Sequence, residues 1–293
     1  MRTLGRVLTA MVTSFNDNGT VDYEGTVALA NYLLEHGSDG VVVCGTTGEG
    51  ATMSHAEKLE LFKAIVASCK GKGTIVANVG SNDTAASVAL LKEVNELDVD
   101  AVMAVVPYYN KPNQEGCYQH FKALAEVSKK PIVVYNVPGR TSSSIAPQTL
   151  ARLANEFPTI AAVKEASGDL SAVTDIARLT PEGFMIYSGD DGIVLPMLSI
   201  GGCGVISVAG HMVGEKLNAM IAAYENGDVE IAREIHKYLQ PVFKGLFITV
   251  NPIPVKTAMI EMGLCKPNFR LPLVPASDSE RIFVKELIAE YVK

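Results

Sequence analysis

The chain has 293 residues, 48% of them hydrophobic and 19% charged, with a formal net charge of −7. That apolar content excludes a disordered chain, and the length allows a large core without disulfide or metal staples. Mild acidity, with no strongly basic stretch, excludes a nucleic-acid footprint.

Taken in chain order, Arg2 and Arg6 precede the apolar run VLTAMV at 7–12. Thr9, Thr13 and Ser14 interrupt the run and no convincing cleavage site follows, so it reads as a strand rather than a signal peptide, and the expected location is cytoplasmic. Residues 22–36 place Tyr23, Val27, Ala30 and Leu34 at helical spacing, with Asp22 as N-cap and Gly37 as the stop. After GVVVC (40–44), Ser54 and Glu57 form a capping box ahead of Leu59, Phe62 and Ile65. TIVANV (74–79) leads to the stripe Val88, Leu91, Val94, and AVMAVV (101–106) leads to Phe121, Leu124, Val127. PIVVYNV (131–137), IAAVK (160–164), FMIYS (184–188) and GVISV (204–208) complete the series, with the weakest helical signal before the last.

These runs are continuous rather than alternating, as in strands covered on both faces. Their spacing leaves room each time for a crossover helix. Eight such units fit an open doubly wound sheet or a closed barrel, and the count and even spacing favour a (β/α)8 TIM barrel. Residues 215–225, 228–240, 254–263 and 278–292 look helical, so the expected organisation is a barrel over 1–225 and a C-terminal helical extension over 226–293 packed on it. The uncharged stretch 193–210 approaches a membrane-spanning length, but Pro196 and Gly201, Gly202, Gly204 and Gly210 break a continuous helix, so no membrane association is expected. Five scattered cysteines without a C-x-x-C pair suit reduced thiols.

In such a barrel the site gathers at the C-terminal strand ends. There the sequence places Gly45-Thr46-Thr47-Gly48-Glu49, Pro107-Tyr108-Tyr109-Asn110, Tyr135-Asn136 with Arg140 beyond, Lys164-Glu165, Ser188-Gly189-Asp190-Asp191 and Ser207. Lys164 ends a run whose other members suggest burial. An amine there either finds a partner, Glu165 or a loop, or its pKa falls and it becomes a nucleophile able to form a Schiff base. Tyr135 on the neighbouring strand could relay protons for such an imine, or satisfy its hydroxyl locally. Thr46 and Thr47 could join that relay, bind a carboxylate, or simply form a tight turn. Arg140, after N-V-P-G, suits carboxylate or phosphate recognition, with a surface role as the alternative.

Other motifs fail. G-T-T-G-E-G lacks the Lys-Ser/Thr of a P-loop, N-D-N-G at 16–19 lacks the distal glutamate of a calcium loop, and the five histidines show no metal-ligand spacing. Asp190-Asp191 could hold a metal, but solvation or helix capping is the commoner use. No metal or cofactor is expected if a lysine imine is the electron sink.

The motifs G-T-T-G-E (45–49), P-Y-Y-N-K-P (107–112), Y-N-V-P-G-R (135–140), V-K-E-A-S-G-D (163–169), S-G-D-D (188–191) and N-P-I-P-V-K (251–256) resemble the dihydrodipicolinate synthase family. This family belongs to a superfamily of pyruvate-dependent class I aldolases and lyases, and the resemblance runs in order from about residue 5 to the C-terminus. It implies that Lys164 forms the imine with pyruvate and that Tyr135, Thr46 and Tyr109 relay protons, Tyr109 being donated across a dimer interface. It further implies that Thr47 and residues from Gly189 to Ile206 line the pyruvate pocket and that Arg140 receives the carboxylate of L-aspartate 4-semialdehyde. The implied product enters the diaminopimelate route to lysine, and the implied assembly is a homotetramer, a dimer of dimers.

N-acetylneuraminate lyases and 2-keto-3-deoxy sugar acid aldolases share the lysine and the Y-N-x-P turn and are the alternative. Thr46, Tyr109, Arg140 and the glutamate after Lys164 place this chain on the synthase side. Lysine-inhibited members of the family carry Ser, His and Glu where this chain has Gly50, Lys58 and Ala86, while His55, Asn82 and Tyr108 match. A cation at 58 repels the ε-ammonium of lysine, so feedback inhibition is expected to be weak or absent.

Overall fold

The computed structural model describes residues 4–292, so Arg2 lies outside the described residues. Eight parallel strands close on one another in chain order, β1 (Val7–Ala10), β2 (Gly40–Val43), β3 (Thr74–Asn78), β4 (Ala101–Val105), β5 (Ile132–Asn136), β6 (Ile160–Glu165), β7 (Met185–Ser188) and β8 (Gly204–Ser207). Leu8 stands in register with both Gly40 of β2 and Ile206 of β8, which completes the ring. The expected (β/α)8 barrel is therefore the observed fold.

Closure explains why the runs do not alternate in polarity. Within β2, Val42 faces the barrel interior while Val41 and Val43 pack outward, and in β4 Met103 points in while Val102 and Ala104 point out. Both faces are apolar because helices cover the outside and side chains fill the inside. The outer layer is α1 (Tyr23–Glu35), α2 (His55–Cys69), α3 (Thr84–Val94), α4 (Gln114–Val127), α6 (Pro147–Glu156), α7 (Leu170–Leu179), the short α8 (Val194–Leu198) and α9 (Gly210–Glu225), while the single turn α5 (Pro138–Thr141) follows β5 at the barrel mouth. Asp22 caps α1 through the Gly25 N–H, Gly37 follows the helix at φ +93°, and the Ser54–Glu57 capping box opens α2. The glycine-rich stretch 193–210 divides into α8, a turn and β8, and among the described residues no helix is long and apolar enough to cross a membrane.

Three further helices follow, α10 (Val229–Gly245), α11 (Ile253–Glu261) and α12 (Asp278–Tyr291). Two boundaries depart from the expected ones by more than two residues. The helix expected at 215–225 begins at Gly210 and is broken at Val213 (φ −135°), and the one expected to end at residue 240 continues through Pro241 to Gly245. Pro241 forfeits one helical hydrogen bond. The helix persists because Leu239, Val242 and Phe243 are buried on the face that packs inward.

Candidate active site

Lys164 owes its direction to an irregularity. Across β5 and β6, Ile132 pairs with Ile160 but Val133 pairs with Ala162, so Ala161 is an extra residue in the ladder. Without it, the two-residue alternation that starts with Ile160 outward would turn Lys164 outward as well. With it, Ala161 and Ala162 both line the interior, Val163 packs outward and Lys164 points in at the mouth of the barrel. Tyr135 is its register partner on β5, and the Lys164 ammonium nitrogen lies 4.3 Å from the centre of the Tyr135 ring.

Lys164 is 6% exposed and forms no ion pair among the described residues. Glu165, the alternative partner, faces away. Its carboxylate accepts hydrogen bonds from Asn136 Nδ2 at 2.9 Å and from the Ser167 N–H at 2.7 Å. Burial pulls the Lys164 amine down to about 8, Asp191 draws it partly back up, and Arg140 depresses it. The same burial raises the Tyr135 phenol above its ordinary value, against the pull of Arg140 and the Thr46 hydroxyl. Buried groups so displaced in a cleft make this the candidate reactive centre.

These groups share a cavity of about 190 Å³ bounded by Thr46, Thr47, Tyr135, Arg140, Lys164 and Gly189. It opens into a second cavity of about 470 Å³ that shares Thr46, Tyr135, Arg140 and Asn251 and extends to Gly50, Lys58 and Tyr108. Arg140, on the single turn α5, lies exposed at the junction and donates to the Asn251 carbonyl at 3.2 Å. Gly189 leaves the lysine its room. A Cβ there would lie 2.6 Å from the Ala166 Cβ and 3.2 Å from the Lys164 Cε. Gly189→Ala is therefore expected to lower kcat/KM about fivefold or more, because overpacking of this kind costs about 1–3 kcal/mol. Initial rates check this, and an unchanged kcat/KM contradicts it.

Two residues expected in the site stand elsewhere in the single chain. Tyr109 is 88% exposed at φ +69° and lines neither cavity, and Ile206 is wholly buried inside the barrel, where Val208, just beyond β8, borders the pocket instead. Of the remaining expected residues, His55 pairs with Glu93 at 2.7 Å on the surface, Asn82 is half-buried with its carbonyl accepting from Asn110, and Ala86 is exposed.

Three further groups shape the site: Asn251 and Lys256, to which the sequence assigned no role, and Asp191, for which it offered a metal, solvation or helix capping. Asn251 donates to the Thr47 hydroxyl at 3.0 Å and leaves its own Oδ1, buried, without a partner among the described residues. Asp191 is buried and accepts from Ser207 Oγ at 2.5 Å and from the Val208 and Ala209 N–H groups, tying β7 to the end of β8. Lys256 meets Glu49 beneath the G-T-T-G-E turn. Asp191 and Glu49 stood among the strand-end polar residues, and Asn251 and Lys256 in N-P-I-P-V-K, but only the folded chain brings each to its partner. Among the described residues no three metal-ligating side chains cluster closely enough to hold an ion.

Barrel and site together define a protein that presents one buried lysine amine, beside a phenol and below an arginine, to a small pocket at the mouth of the barrel. The chain belongs to the dihydrodipicolinate synthetase family, whose model matches residues 3–291. It is 50% identical to the 4-hydroxy-tetrahydrodipicolinate synthase of Bacillus subtilis over 98% of this chain and 99% of that one. It is 49% identical to the synthase of the same name from Desulforamulus reducens, over 97% and 96% of the two chains. The crystal structure of dihydrodipicolinate synthase from Bacillus anthracis superposes with a TM-score of 0.96 at 43% identity, covering 100% of both chains.

Proposed function

We propose that this chain condenses pyruvate with L-aspartate 4-semialdehyde to give 4-hydroxy-tetrahydrodipicolinate. The observation that carries the reading is the Lys164 amine, buried and unpaired in a small pocket, its pKa held near 8 beside Tyr135. Its neutral form attacks the keto carbon of pyruvate, and loss of water from the carbinolamine leaves the imine. That loss needs a proton delivered to the departing oxygen, and enamine formation needs one taken from the methyl carbon. In this reading Tyr135, with the Thr46 hydroxyl beside it, does both. The enamine carbon then bonds to the aldehyde carbon of the second substrate, whose carboxylate Arg140 receives at the cavity junction. Finally the amine of that substrate attacks the imine carbon, closing the ring and returning the amine to Lys164. The electron sink is the imine itself, so the reaction needs no cofactor.

Turnover with pyruvate and L-aspartate 4-semialdehyde, measured against cleavage of N-acetylneuraminate and 2-keto-3-deoxygluconate, tests the assignment. The synthase reaction is expected to dominate. Preference for either sugar acid would move the chain to the aldolase side of the superfamily.

Tyr109 belongs to this reading as a residue donated by a second copy, and its exposure in the single chain suits that use. A dimer of such pairs gives the proposed homotetramer. A cytoplasmic setting fits the same reading, since both substrates are small central metabolites. Feedback inhibition by lysine is not expected. Lys58 borders the larger cavity with no carboxylate within ion-pair distance among the described residues, and Ala86 supplies none. At Gly50 a Cβ would fall 2.0 Å from the Cys44 carbonyl oxygen, so the backbone leaves no room for the serine of lysine-inhibited relatives. Initial rates unaffected by millimolar L-lysine are the expected result, and inhibition in the sub-millimolar range would contradict it.

A further inference from the structure

Beneath the G-T-T-G-E turn lies an ion pair that the reaction does not use directly. Lys256 of α11 is 0% exposed, and its Nζ donates to Glu49 Oε1 at 2.5 Å. The ammonium also faces the rings of Phe15 at 4.4 Å and Phe269 at 4.8 Å. The second carboxylate oxygen of Glu49 accepts the Arg270 backbone N–H at 2.9 Å. Both partners come from the C-terminal part of the chain, and both grip one side chain of the turn after β2.

That grip reaches the reacting groups by two short routes. The Glu49 N–H donates to the Thr46 carbonyl at 3.1 Å, and the Gly50 N–H donates to the Gly45 carbonyl at 3.1 Å, so anchoring Glu49 anchors the backbone that presents Thr46. Five residues before Lys256, Asn251 donates to the Thr47 hydroxyl while its carbonyl receives Arg140. Glu49 itself holds a left-handed backbone at φ +54°, which a residue with a Cβ adopts at a cost and keeps only when its surroundings enforce it. A buried charge pair contributes little net stability against an apolar pair of the same size, so stability alone is a weak reason to keep one.

We propose that Lys256 and Glu49 are positioning residues for the proton relay: their buried pair fixes the turn so that the Thr46 and Thr47 hydroxyls meet the pocket of Lys164 and Tyr135. This inference rests on the Schiff-base reading above. The C-terminal part of the chain, which lines the smaller cavity through Phe247 and Asn251, thereby also sets the geometry of the turn on its other side.

The test uses the full-length protein and two variants. Glu49→Gln/Lys256→Met removes both charges together, so no buried charge is left unpaired, and Glu49→Asp keeps the charge but shortens its reach. Each is measured for kcat, for KM of pyruvate, and for the fraction of chains in which borohydride with pyruvate labels Lys164. Turnover is then expressed per labelled site, which removes any loss that comes from unfolded protein. The expected result is a roughly tenfold to hundredfold fall in kcat per labelled site in both variants, with KM for pyruvate within about twofold of the parent. Parent-level kcat per labelled site in either variant overturns the inference, as does a loss of activity that only tracks the loss of labelled chains. If the parent protein itself is not labelled, the Schiff-base reading fails first.

Discussion

Lys164→Met is expected to lose all measurable synthase turnover and at the same time to raise the stability of the fold near neutral pH. The first effect follows from chemistry. A thioether forms no imine, and no other lysine borders the smaller cavity. The second follows from burial. The folded chain holds the Lys164 amine at about 8, against an ordinary value of 10.5. Between those two values the unfolded chain binds more protons than the folded one, so stability rises with pH across that window. The penalty is therefore fully present below about pH 8 and gone above about 10.5, and at pH 7 it amounts to roughly 3 kcal/mol. Methionine fills a similar volume without charge, so it escapes that penalty. Denaturant unfolding at pH 7 should show the variant more stable than the parent, with the gap closing as the pH is raised from 8 toward 10.5. A variant less stable than its parent at pH 7 would contradict the account. The same depressed pKa leaves about a tenth of the amine neutral at pH 7, several hundred times more than an unperturbed lysine offers. In the parent, kcat/KM for pyruvate should rise with pH and level off above about 8.

Tyr135→Phe should lower kcat by about 10²–10⁴, the usual worth of a positioned general acid and base. The ring beneath the Lys164 ammonium remains, so the amine keeps its packing and its direction. What disappears is the hydroxyl that exchanges protons with the carbinolamine and the enamine. Trapping of pyruvate on Lys164 should continue, only slower, and KM for pyruvate should change far less than kcat. A kcat within about tenfold of the parent would remove Tyr135 from the relay and leave Thr46 or solvent to carry the proton.

Much of the barrel was legible because strands covered on both faces leave an unmistakable trace of short continuous apolar runs. The strand ends likewise named the polar residues that meet at the mouth. The inward aim of Lys164 was not legible. I-A-A-V-K reads equally well with the lysine in or out, and only the extra residue at Ala161 decides it. Contacts between distant segments were equally hidden. Glu49 and Lys256 lie 207 residues apart, Thr47 and Asn251 lie 204 apart, and no local pattern marks either pair. Helix α10 passed through Pro241 because burial of Val242 and Phe243 outweighs one lost backbone bond, a tertiary effect that local propensity does not contain. Ile206 took an interior place because alternation along β8 points it into the barrel, while Val208, just past the strand, reaches the pocket.

The central claim is that the Lys164 amine carries pyruvate. Borohydride reduction of the protein in the presence of pyruvate, followed by peptide mass mapping, tests it most directly. The account predicts one modified residue, Lys164 bearing a 1-carboxyethyl group, and no modification when pyruvate is omitted. Modification of a different lysine, or none at all, would contradict it.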